Sequence, residues 1–150
     1  MERRDFLKKA GAGTAVAAGT LAAPAIVKAR TEIAMVTTWP RDFPGLGTGA
    51  QRFAKSLSEL SDGRLNVTYY ASGERVKPFD SFDEVASGNA QMYHAADYYW
   101  KGKHPGWAYF TAVPFGFVYS EINAWINWGG GQELWDELSG EFGLKCLTCG

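Results

Sequence analysis

Ile33-Ala34-Met35-Val36 is an unbroken apolar run inside Glu32–Thr38, with no polar residue alternating through it. A strand with one wet face alternates, whereas a strand covered on both faces need not. The run therefore asks for a parallel sheet with helices on both sides. Trp39-Pro40 ends it, because proline cannot donate to a strand ladder. A loop over Arg41–Gly49 holds Pro44, Gly45, Gly47 and Gly49. Ala50, Phe53, Ala54, Leu57 and Leu60 then recur at helical spacing, and Gly63 stands where a left-handed residue closes a helix. Leu65–Tyr69 alternates as a second strand. Pro78 opens a second helix, striped by Phe79, Phe82, Val85 and Ala86 and closed by Gly88, and Ala90–Ala96 reads as a third strand. Strand, helix, strand, helix, strand at this spacing predicts an α/β fold around a parallel sheet. Such sheets bind ligands at the carboxyl ends of their strands. Here those ends are the loops Trp39–Gly49, Ala71–Lys77 and Asp97–Lys103.

Aromatic residues crowd the stretch that follows. Val113-Pro114-Phe115-Gly116 is expected as a short strand leaving into a turn. Ser120 is expected to cap a helix through Ile122, Trp125 and Ile126, which Gly129-Gly130-Gly131 breaks. Leu134, Trp135, Leu138 and Phe142 make another amphipathic set, closed by Gly143. Leu144–Cys149 reads as a strand that begins just as the chain stops at Gly150, which suggests a fragment of a longer protein.

Residues 1–29 have a different composition. Arg3, Arg4, Lys8 and Lys9 precede an uncharged, weakly apolar stretch, Ala10–Ala25. Small residues follow in Ala23-Pro24-Ala25 and in Val27-Lys28-Ala29, and either set suits a cleavage site. This is the pattern of a removable export signal. As a soluble helix it would carry Gly11, Gly13 and Gly19, each costing about 1 kcal/mol. Arg3-Arg4-Asp5-Phe6-Leu7-Lys8 resembles the twin-arginine signal, with Glu2 where Ser or Thr usually stands. No apolar run reaches the roughly 18 residues of a membrane-spanning helix. The whole chain has a net charge of −1, with 15 basic and 16 acidic residues. Removing Met1–Ala29 takes five of the basic and two of the acidic ones and leaves a net charge of −4. That balance gives no footprint for nucleic acid. It also means that an anionic ligand would need a local positive group to hold it.

Few residues offer chemistry of their own. Cys146 and Cys149 are the only cysteines. Three apart on a strand, they would lie about 10 Å apart and face opposite ways, too far for a disulfide. They read as two buried thiols. His94 and His104 lack a metal-ligand spacing, and His94 reads as packing at a strand end. The glycine clusters match neither a phosphate loop nor a dinucleotide fingerprint. Asp80, Asp83 and Glu84 lack the alternating oxygen ligands of a calcium loop. Tyr98-Tyr99-Trp100 directly follows the third strand, and Trp39 follows the first. Aromatic faces at those ends could wall a pocket for a small organic molecule, or could pack under a loop.

Trp39-Pro40…Phe43-Pro44-Gly45, Leu60-Ser61-Asp62-Gly63-Arg64-Leu65, Val85-Ala86-Ser87-Gly88, Tyr98-Tyr99-Trp100, Pro114-Phe115-Gly116 and Trp125…Gly129-Gly130-Gly131…Leu134-Trp135 occur in this order. Together they resemble the solute-binding subunit of tripartite ATP-independent periplasmic (TRAP) transporters, in the branch that receives 2-oxo acids and other small monocarboxylates. The resemblance implies an α/β, periplasmic binding protein-like (type II-like) fold of two lobes on a hinge. Residues 1–29 would be the twin-arginine export signal, marked by Arg3, Arg4, Phe6 and Leu7. Residues 30–150 would be most of the first lobe. The implied function is periplasmic capture of a small carboxylate and its delivery to an ion-gradient-driven TRAP permease, without catalysis. Trp39 and one or more of Tyr98, Tyr99 and Trp100 would form the aromatic wall. The family's carboxylate-binding arginine would lie beyond Gly150, as would the ligands of any metal ion beside the solute. No cofactor and no metal site is implied within residues 1–150. The implied partners are the carboxylate, the permease subunits and the twin-arginine machinery, and a homodimer is compatible with the family. Arg75, in Gly73-Glu74-Arg75-Val76, stands where the family often has an apolar residue. The rival readings are a twin-arginine-exported periplasmic enzyme and a receptor for an ABC-type importer.

Overall fold

The computed structural model describes residues 30–149. The export-signal residues therefore lie outside the described part. Three strands, β1 (Thr31–Thr37), β2 (Leu65–Tyr70) and β3 (Met92–His94), form one sheet in the order β2-β1-β3. Both pairings are parallel, with Met35 level with Tyr69 on one side and with Met92 on the other. Helix α1 (Leu46–Leu60) joins β1 to β2, and α2 (Ser81–Ala86) joins β2 to β3 after a 3₁₀ turn at Pro78–Asp80. Two more 3₁₀ turns, Asp97–Trp100 and Pro105–Tyr109, lead to α3 (Tyr119–Trp128) and α4 (Gly131–Gly140).

Strand pleat divides the core into two layers, because successive side chains point to opposite faces. Met35, Val67, Tyr69 and Met92 share one face and meet Ala50 and Ala54 of α1. Tyr93, on the other face, joins a larger cluster of Phe82, Trp100, Trp107, Phe110, Ile126, Trp135 and Leu138. Within that cluster Phe110 is stacked between Trp125 and Trp135, with ring centroids 5.8 and 5.3 Å away. Side chains of α1 also hold β2 in place. Ser58 Oγ accepts from Val67 N–H (3.1 Å) and Ser61 Oγ from Leu65 N–H (3.0 Å).

The first turn of α1 lies tight against the end of β1. A Cβ at Gly47 would sit 2.5 Å from the Pro40 carbonyl oxygen, so no larger residue fits there without moving the loop. This contact brings α1 in four residues earlier than Ala50, where the apolar stripe alone begins.

Several local expectations are corrected. Val113–Gly116 forms a turn rather than a strand, with Gly116 N–H bonded to Val113 O and Phe115 at positive φ. Leu144–Cys149 is irregular rather than a strand. Ser120 does not cap α3, whose N-cap is Val118. Glu121 instead reaches back to accept from Val118 N–H at 2.9 Å, half of a capping box. Cys146 is buried as expected, but Cys149 is exposed, and both thiols are free.

Candidate functional site

The register ends β1 and β3 side by side, with Thr37 level with His94. Trp39 lies two residues beyond and folds back over His94. Its indole Nε1–H donates to His94 Nδ1 at 2.8 Å, in a buried contact. The Trp39 carbonyl accepts from Ser72 N–H (2.9 Å) and Thr37 Oγ1 (3.2 Å), which ties the ends of β1 and β2 together. Burial pushes the His94 pKa down, partly offset by the carbonyls of Cys149 and of His94 itself. The ring is neutral at pH 7, with its proton on Nε2 because Nδ1 accepts.

Tyr98-Tyr99-Trp100 is not loose loop but the body of a 3₁₀ turn. In a 3₁₀ turn residues three apart share a side, so Asp97 and Trp100 both point inward. Trp100 is only 4% exposed, and its Nε1–H donates to Phe79 O at 2.9 Å. It belongs to the larger core cluster. Tyr99 lies half-buried beside Trp39, at 6.0 Å, and between Phe79 (5.1 Å) and Tyr98 (4.6 Å). Burial, and then its bond with Tyr98, push the Tyr99 phenol up to about 12, so it keeps its proton at neutral pH. Tyr98 is the exposed member, at 38%. The structure thus brings Trp39, Tyr99 and Tyr98 into one aromatic surface and sets Trp100 behind it.

Trp39, His94, Asp97 and Tyr98 line a cleft of about 930 Å³, closed on its far side by Thr111, Ile122 and the segment from Gly143 to Cys149. The volume lies within the usual range for small-molecule sites. Both arginines in the strand-end loops, Arg41 and Arg75, are already paired. Arg41 makes a two-pronged ion pair with Glu74, at 2.8 and 2.6 Å, and lies over the Tyr69 ring. The Arg41 guanidinium holds the Glu74 carboxyl below its usual range. Arg75 donates to Glu84 (3.2 Å) and to Asn89 O (2.8 Å), across the Tyr70 ring. Its place is therefore a brace between the β2 loop and α2.

A buried polar group underlies the aromatic surface. Asp97 accepts from Trp135 Nε1–H at 2.7 Å and from Tyr93 O–H at 3.4 Å. Burial raises the Asp97 carboxyl to about 6, against the lowering effect of these two bonds. Tyr93 also meets Cys146 Sγ at 3.5 Å. Burial, then the charge of Asp97, push the Cys146 thiol up to about 11, so it is no nucleophile at pH 7. His104 accepts from Gly106 N–H at 3.1 Å and caps the 3₁₀ turn Pro105–Tyr109. Among the described residues no group of three or more His, Cys, Asp or Glu side chains is placed to hold a metal ion.

Sequence reasoning missed two features of the cleft. His94 was legible only as strand-end packing, since its bond to Trp39 depends on the register between β1 and β3. Thr111, which lines the cleft, carries a buried hydroxyl with no hydrogen-bond partner, as does Thr38 outside the cleft. Only the folded arrangement isolates them.

Comparison with known proteins bears on all of residues 35–150, which match the family model described as bacterial extracellular solute-binding protein, family 7. The chain is 33% identical to the monocarboxylate 2-oxoacid-binding periplasmic protein of Nostoc sp., over 100% of this chain and 43% of that protein. Two solved TRAP periplasmic solute-binding proteins superpose with a TM-score of 0.73 at 38% identity, over 76% of this chain and 35% of theirs. One, from Pseudoalteromonas atlantica, holds sodium and pyruvate, and the other, from Colwellia psychrerythraea, holds calcium and pyruvate. The chain thus spans less than half the length of the relatives it matches.

Proposed function

The chain belongs to the bacterial extracellular solute-binding proteins of family 7, and from that premise we propose that it is the amino-terminal part of a periplasmic receptor for a small 2-oxo acid. Its fold is the α/β, type II-like fold of periplasmic binding proteins, built on a parallel sheet. The family is one of solute receptors rather than enzymes. The captured solute passes to an ion-gradient-driven TRAP permease. One observation carries the ligand class: the carboxyl ends of β1 and β3 present a neutral aromatic surface, with Trp39, Tyr98 and Tyr99 together. Such a surface suits the short tail and keto group of a 2-oxo acid, not its carboxylate. Arg41 and Arg75 are engaged in ion pairs, and in this reading the carboxylate's charge partner is the family's arginine, past Gly150. Two solved relatives hold sodium or calcium as well as pyruvate, and a metal ion bound with the solute here would take its ligands past Gly150 as well.

Residues 30–150 are the first lobe in this reading, and Trp100 supports the wall from within the core. Calorimetry on the full-length protein with pyruvate should give micromolar binding. Tyr98→Phe, which deletes one donor, should weaken it several-fold with little change in melting temperature. No heat with pyruvate or its homologues would remove the 2-oxo acid reading.

Residues 1–29 are the twin-arginine signal of this receptor, with Arg3, Arg4, Phe6 and Leu7 as its recognition residues. Arg3→Lys with Arg4→Lys keeps the charge and should abolish appearance of the protein in the periplasm. A normal periplasmic yield from that variant would assign export to the general secretory route.

A further inference from the structure

The His94 Nδ1 accepts the Trp39 indole N–H at 2.8 Å. His94 lines the cleft together with Trp39 and Cys149, with that nitrogen already engaged. Three parts of the chain converge on it: the second residue after β1, the end of β3, and the segment at Cys149. Trp39 is 9% exposed and its indole has no other hydrogen bond. Its second anchor is the Tyr99 ring, 6.0 Å away and tilted by 56°, which limits lateral movement but cannot satisfy an N–H.

We propose that His94 is a positioning residue of the binding site, which accepts the Trp39 indole N–H and thereby fixes the aromatic plane on which the solute packs. The inference rests on the receptor reading for its effect on binding, while the contact itself stands independently. Without an acceptor the buried indole N–H must find water, and the nearest route is rotation toward the cleft. The ring would then occupy ligand space, and Tyr99 would lose its neighbour.

The test uses the full-length protein with His94→Leu, His94→Gln, Trp39→Phe and the double variant Trp39→Phe with His94→Leu. The Trp39 indole N–H is followed by ¹H–¹⁵N spectroscopy, assigned by its loss in Trp39→Phe, and pyruvate binding is followed by calorimetry. Wild type should show a shifted, slowly exchanging indole N–H. His94→Leu should return it toward the free-indole position with faster exchange, and should weaken pyruvate binding about tenfold. His94→Gln supplies a carbonyl oxygen in place of Nδ1 and should restore both. In the Trp39→Phe background, His94→Leu should change affinity little, because the residue it acts through has gone. An unchanged indole resonance in His94→Leu, or an equal loss of affinity with and without Trp39, would overturn the proposal. Failure of wild type to bind pyruvate would sink the receptor reading instead, and the indole resonance would still decide the role of His94.

Discussion

Replacing Phe82 by alanine is expected to remove about 4 kcal/mol of stability. Phe82 is 1% exposed and stands at the centre of the larger core layer. Its ring meets Trp100 at 5.2 Å, Phe142 at 5.3 Å, Trp107 at 5.5 Å and Tyr93 at 6.1 Å. Lys103 Nζ lies 5.1 Å from the ring centroid while paired to Asp83. Truncation would lose the transfer energy of the ring, leave a cavity among four rigid aromatics, and remove edge-to-face contacts that contribute beyond area. Four flat rings cannot collapse into the gap as aliphatic chains would. Folded domains hold only about 5–15 kcal/mol in total, so the variant should unfold at much lower urea. Phe82→Leu should lose roughly half as much. A midpoint within error of wild type for Phe82→Ala would mean that the aromatic layer is not the main core.

Asp97 should contribute about 2 kcal/mol more stability at pH 4 than at pH 6. Its folded carboxyl is raised to about 6 from an ordinary value near 4, chiefly by burial. Between those values the folded state holds a proton that the unfolded state has released. Stability is therefore full below the unfolded value and falls as pH rises through the folded one. His94 acts in the opposite direction. Its folded pKa is lowered by burial, so the unfolded state takes up a proton first, and stability is lost as pH falls below the ordinary histidine value. The exposed carboxylates of Glu74 and Asp136 are held low by Arg41 and Lys145, and they lose their contribution as pH falls below the ordinary carboxylate values. In the wild type the Asp97 and His94 slopes oppose each other just below the ordinary histidine value, which flattens the profile there.

Asp97→Asn separates them. The amide oxygen can still accept from Trp135, and no charge is buried. The variant should be more stable than wild type at pH 7, by about 2 kcal/mol, and should lose stability steadily on acidification. Urea midpoints of both proteins at pH 4.5 and pH 7 decide the matter. Parallel profiles would mean that another group titrates in this window.

The sheet was legible because its strands are marked by composition. Ile33–Val36 fits a short strand buried on both faces, and α1 carries its apolar stripe every third or fourth residue. What depends on pairing was not legible. Leu144–Cys149 has strand-like residues, but a strand exists only where a partner lies alongside, and among the described residues none is bonded to it. The aromatic triplet posed a similar difficulty. As a loop it has no side-chain period, whereas a 3₁₀ turn imposes a period of three and sends Trp100 inward with Asp97. Trp39 and His94 lie 55 positions apart. Nothing local in either neighbourhood announces that they meet.

The strand order has a consequence for synthesis. β1 is central in the sheet yet is made first. Its partners follow 34 residues later in β2 and 57 residues later at the start of β3. At a translation speed of about 5–20 residues per second, β1 waits roughly 3–11 s for its second neighbour. Until β2 emerges Ile33-Ala34-Met35-Val36 is an apolar strand with both edges open, and until β3 emerges one edge stays open, the kind of segment that pairs with other nascent chains. A holding chaperone that grips extended apolar peptide would have its natural target there. It would have to release that segment no later than the emergence of His94, when the second edge closes.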